Sequence, residues 1–291
     1  MSEYAPIFIA VLIVISLFIW ASKFGAVKVL ASGVATLVGI LVFFIGIHFF
    51  PAFAESALES YTSKTVLGLA AAVALIAYVI TRLLSGWIFK LVLGPDSWLH
   101  AFAEGFLGGV LSLFTSVVMI FFLFLCIRIS GTVMELNYVA SLSRDRIVDE
   151  TEIPPYPAAA IWRNTIEDLP ILPALFDAVD PFSSRAHRNA AALLMVSRST
   201  PIHTYFLGQP ETAELAALES ISSLSLEPKI LRALESQKRI DLLLNPTLQE
   251  RVDDSSFRGE LASLKLQPIL EGFVASIPQP LVAPPPGGIT L

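Results

Sequence analysis

Among the residues able to do chemistry, one group stands at helical spacing: Asp96, His100 and Glu104 in GPDSWLHAFAEG, at i, i+4 and i+8. If a helix begins at Asp96, the three share a face, because residues four apart are neighbours on a helix surface. Two carboxylates and an imidazole so placed can ligate a divalent cation or relay protons. A simpler reading exists. Asp96 caps the helix and meets its N-terminal dipole, and His100 and Glu104 continue a polar strip beside Trp98. The simpler reading is preferred here, and no metal or cofactor is assigned. Arg185 and His187 in PFSSRAHRN are a second candidate: an anion site, or a solvated turn ahead of Ala190–Ser197. His48 and His203 stand apart from these groups. The chain has no Gly-x-Ser-x-Gly elbow, no His-Glu-x-x-His, no phosphate-binding glycine loop and no cysteine pair, so it reads as non-enzymatic. The lone cysteine, Cys126, lies in an apolar run and reads as a small core hydrophobe.

The elements that must position these residues are strongly apolar. Hydrophobic residues make up 55% of the chain and charged residues 15%, against about 25% charged in soluble domains. The excess is confined to the first half. About 20 apolar residues cross a hydrocarbon core ~30 Å thick. Four segments qualify: Tyr4–Ser22, Val29–Ala54, the run from Thr65 past Arg82 into LLSGWIF, and Gly105–Ile127. The expected spans are about 4–22, 29–51, 66–89 and 103–128, within a membrane domain of residues 1–130. The leader MSEY has no basic residue and no small-x-small site follows Trp20, so the first segment reads as a retained anchor.

Glycines crowd the head of the fourth segment. Helices in lipid gain nothing hydrophobic by associating and depend on close backbone approach, which small residues permit. Gly105 and Gly109 make a small-xxx-small pair, and Gly108 widens the flat surface. Gly68 with Ala72, and Ser32 with Thr36, repeat the device. These faces serve packing within one chain or between copies. Lys23 and Lys28 flank the first loop and Arg82 and Lys90 the third, which by the positive-inside rule places both termini outside the cytoplasm; Arg144 and Arg146 pull the other way.

Beyond residue 130 the chain turns acidic, with 13 Lys plus Arg and 20 Asp plus Glu, a net charge of −7. Such a balance suits neither nucleic acid nor anionic lipid. Residues 131–160, including EIPPYPAA, read as a linker, and 278–291 as a disordered Pro/Gly tail. Between them, 161–277 reads as a domain of short helices. DLPILPALFD, EPKILRALES, NPTLQERVDD and LQPILEGFVA each carry proline near a helix start, and Leu215, Leu218, Ile221 and Leu224 recur every three residues. Helices this short must pack on one another or on a partner. Trp162 is expected to seat this domain.

Lys23-Phe24-Gly25-Ala26-Val27-Lys28, the stretch LIAYVITRLLSGWIFKLVLGPDSW, and WRNTIEDLPILPALFD together resemble the colicin V production protein family over about residues 5–180. That family's fourth span opens with Asp and then glycines four, eight and twelve residues later, with an Arg before the last. Asp96 and Gly108 match this pattern, whereas His100, Glu104 and Leu107 do not. The resemblance implies a four-span bacterial inner-membrane protein linked to toxin production or secretion and to the envelope, with no established reaction.

The resulting expectation is an all-α protein: a four-helix transmembrane bundle followed by a helical extramembrane domain. It is read as a scaffold in the bilayer of the bacterial inner membrane. Residues 161–277 would bind another protein, on the extracytoplasmic side, and nucleic acid is not a partner. The alternative is a small transporter or secretion component with Asp96, His100 and Glu104 at its entrance.

Overall fold

A computed structural model describes residues 3–24, 26–57, 63–93, 105–143, 153–170, 172–179, 184–217, 223–235, 239–254 and 256–277. Asp96, His100, Glu104 and the segment 278–291 lie outside these. The described residues form helices and no strand. Four long helices come first: α1 (Ala5–Phe24), α2 (Ala26–Ala57), α3 (Ser63–Leu93) and α4 (Gly105–Leu142). Each contains a stretch long and apolar enough to cross a membrane. In hydrocarbon a helix satisfies its own backbone polar groups, which is why uncharged runs of this length adopt it. Ten shorter helices are described after them: α5 (Ala158–Glu167), α6 (Leu172–Val179), α7 (Arg185–Val196), α8 (Thr200–Leu207), α9 (Ala213–Ala216), α10 (Pro228–Glu235), α11 (Arg239–Leu243), α12 (Pro246–Asp253), α13 (Arg258–Ser263) and α14 (Leu266–Ser276).

The chain divides into two compact units, one of Met1–Gly131 with Ala158–Ser183, the other of Thr132–Pro157 with Ser184–Leu291. Helix α2 lies at the heart of the first. Half of its apolar stretch is buried, against 17% for α1 and for α3. Small residues set the approaches. Gly33 of α2 backs onto Thr115 of α4, whose Oγ1 donates to the Val29 carbonyl at 2.9 Å. Ser85 of α3 bonds within its own helix at 2.6 Å, to Thr81, and reaches the Ala31 carbonyl of α2 at 3.3 Å. The outer faces carry large apolar side chains, among them Phe8, Leu83, Trp87 and Val117. Such a surface is stable against lipid and not against water.

Two boundaries differ from the sequence expectation. Helix α4 does not stop near residue 128 but runs 38 residues to Leu142, so the first part of the expected linker 131–160 is helix. At ~1.5 Å per residue it is about 57 Å long, nearly twice a hydrocarbon core. The extension holds because Leu136, Val139 and Leu142, three residues apart, are almost wholly buried in the core of the second unit. Helices α5 and α6, expected at the start of the domain 161–277, instead belong to the first unit.

In the second unit the central element is α7, buried from Ala186 through Val196. Three successive alanines, Ala190 to Ala192, keep its girth small. Around it pack Ile202 and Phe206 of α8, Ile230 of α10, Leu242 of α11, Leu248 of α12, Leu261 of α13 and Leu270 of α14. The prolines act as starts: Pro228 and Pro246 open α10 and α12, and Asn245 caps α12 by accepting from the Thr247 and Leu248 amides. None of these short helices would hold alone, and burial of one apolar face each is what stabilises them.

Candidate functional site

The residues singled out from sequence scatter. Asp96, His100 and Glu104 are outside the described residues, and Gly105 opens α4. Gly108 is buried. Gly109 stands against α1, where an added Cβ would fall 2.5 Å from Ser22 Oγ and 2.8 Å from the Phe18 ring. Gly68 differs: a Cβ there would meet nothing within 4 Å, and Ala72 one turn on is also exposed. Close approach falls instead at Gly33, Gly46 and Gly131. His187 and Arg185 do not form a solvated turn. They open α7, with Ser184 as N-cap accepting from the His187 amide at 3.2 Å. The buried His187 ring meets the Asp253 carboxylate at 3.1 Å, so its neighbour is an acid and not an open anion cradle. Burial pushes this imidazole below its usual range, against the pull of Asp253.

The fold brings together other charged groups, far apart in the sequence. In the first unit Arg128 of α4 is 2% exposed, and its Nε donates to Glu167 Oε1 at 3.1 Å. Its Nη2 bonds the half-exposed Asp177, and its guanidinium lies 5.3 Å from the centre of the Phe176 ring, which stacks on Phe121. Gly131 makes this possible. A Cβ there would sit 2.5 Å from the Ala159 carbonyl oxygen and 3.0 Å from Arg163 Cβ, so α5 lies directly on the α4 backbone. In the second unit Glu135 takes a hydrogen bond from the Tyr156 hydroxyl and pairs with Arg188 at 3.4 Å, both charged side chains being almost wholly buried. Asn189 donates to the Leu261 and Leu264 carbonyls at 2.6 and 2.9 Å, tying α13 to α7.

These arrangements join helices. A buried charge is costly unless paired and hydrogen-bonded, and pairing specifies where α5, α6 and α7 lie. No group of three His, Cys, Asp or Glu among the described residues could hold a metal ion. The signal was present in the sequence: Arg128 and Glu135 interrupt an apolar run, and ionisable residues so placed have partners. Which partners was not readable, since Glu167 and Asp177 lie 39 and 49 residues from Arg128. Compared with family models, curated proteins and solved structures, the chain matches none.

Proposed function

We propose that this protein is a non-enzymatic membrane scaffold of the colicin V production type, acting in toxin production or secretion and envelope processes, which presents its second unit to another protein. The observation that carries the reading is the pairing of four membrane-length apolar helices with a separately cored helical unit. Two further features support it. The long helices pack through glycine, serine and threonine, and the buried arginines Arg128 and Arg188 are engaged by carboxylates within the chain. The positions of Lys23, Lys28, Arg82 and Lys90 support an orientation with the C-terminal unit outside the cytoplasm.

Photo-crosslinking in cells tests the role directly. A crosslinking residue at Leu226 (76% exposed) or Leu207 (41% exposed) of the second unit is expected to trap one discrete protein. Crosslinks to no protein from either site would sink the scaffold reading. Flux across reconstituted vesicles that disappears in Glu104→Gln would replace it with the transporter. Alkaline phosphatase fused at Leu291 should be active; fluorescence from a cytoplasm-dependent protein fused there instead would reverse the orientation.

A further inference from the structure

The second unit contains two arginines that no described residue engages in an ion pair. Arg239, at the head of α11, is 9% exposed, and its Nε has no hydrogen-bond partner among the described residues. Arg198, just after α7, is exposed. Neither makes an ion pair with a described residue, in contrast to Arg128 and Arg188. Both line one cleft of about 400 Å³, within the ordinary size range of small-molecule sites. Its other walls are of two kinds. Met195, Leu234 and Ala140 are apolar, while Ser141, Ser143 and Asn137 offer polar side chains. The hydroxyls of Ser141 and Ser143 donate to the Tyr138 and Val139 carbonyls at 2.7 and 2.8 Å, which leaves their oxygens able to accept. Glu235 also lines the cleft, so its described lining residues carry two positive formal charges against one negative, a net of +1 among them.

An unpaired buried guanidinium is destabilising by itself, and burial lowers the affinity of Arg239 for its proton. Guanidinium forks fit planar oxyanions in bidentate fashion. A monoanion neutralises the net charge, whereas a dianion would overcompensate it close to the C-terminal ends of α4 and α7, which already carry partial negative charge. We propose that this cleft is a binding site for a small carboxylate with an apolar body, the carboxylate held between Arg198 and Arg239 and the body against Met195 and Leu234. The site makes the helical unit responsive to a ligand, whatever protein it binds.

The test uses the full chain in detergent, with hexanoate as probe and hexanol as its neutral counterpart. Hexanoate is expected to bind saturably, at least tenfold more tightly than hexanol, and to raise the melting temperature. Arg239→Met and Arg198→Ala should each weaken hexanoate by about 10- to 100-fold, the usual scale for a hydrogen bond to a charged group. Without ligand, Arg239→Met should melt no lower than the parent, because it removes a buried charge that no described residue pairs. If that variant fails to fold, the exposed Arg198→Ala still decides the matter. Palmitate binding that needs both arginines, without hexanoate binding, would assign the same carboxylate chemistry to a lipid source. Equal binding of hexanol and hexanoate, or undiminished binding in Arg198→Ala, would overturn the proposal.

Discussion

Replacing Gly131 with alanine adds one methyl group at the tightest backbone approach of the first unit. The new Cβ would lie 2.5 Å from the Ala159 carbonyl oxygen, where ordinary contact begins at 3.4 Å, so α5 must retreat by roughly 1 Å. The obstacle is backbone, and no side chain can swing aside to relieve it. A retreat of that size stretches the Arg128–Glu167 bond from 3.1 Å past hydrogen-bond range. Overpacking of this kind costs about 1–3 kcal/mol, and a weakened buried ion pair adds roughly 1–2 kcal/mol, a part of what complete loss would cost. Alanine gives back about 1 kcal/mol of helix propensity. The expected net loss is about 2 kcal/mol. Gly68→Ala is the internal control: it has the same propensity gain and meets nothing within 4 Å, so it should be neutral or slightly stabilising. Reversible unfolding of both variants in mixed micelles, followed by circular dichroism, reads the difference. A Gly131→Ala variant as stable as Gly68→Ala would rule out a tight contact at Gly131.

Other perturbations follow from the same contacts. Arg128→Met should destabilise the first unit by about 3–5 kcal/mol, because it breaks a buried ion pair and takes the guanidinium away from the Glu167 carboxylate. Arg128→Met with Glu167→Met should recover much of that loss, and a double-mutant cycle showing strict additivity would contradict a direct pair. For His187, the folded state holds the imidazole below its ordinary 6.5, so the unfolded state binds more protons just below that value. Stability of the second unit is therefore full above pH 6.5 and falls as the pH drops through it, and His187→Gln should flatten that slope. A parent protein whose melting temperature is level from pH 7.5 to 5 would count against the buried, neutral ring.

Much of the architecture was legible in the sequence because its causes are local. An uncharged run of about 20 residues has one stable answer in lipid, and proline at a helix start acts within a single turn, as at Pro228 and Pro246. The end of α4 was less legible. Arg128 looked like a boundary because it is charged, yet its partner Glu167 sustains it in the folded chain, and the helix continues to Leu142. The stretch around His187 misleads for a related reason: a short polar segment such as SSRAHRN looks solvated until the helices that cover it are known.

Sequence alone thus determined an all-α chain with four membrane-length apolar helices and a following set of proline-led short ones. Hydropathy, length and proline geometry are properties of neighbouring residues, and they need no knowledge of distant ones. Only the tertiary structure decided that Gly131 and not Gly68 is a contact point, that Arg128 meets Glu167 and Asp177, and that Arg239 lines a cleft with its Nε unpartnered among the described residues. The physical reason is that the energy of a glycine or of a charge depends on what the fold brings against it. Ala159 reaches Gly131 from 28 positions along the chain, Glu167 reaches Arg128 from 39, and Asp177 from 49.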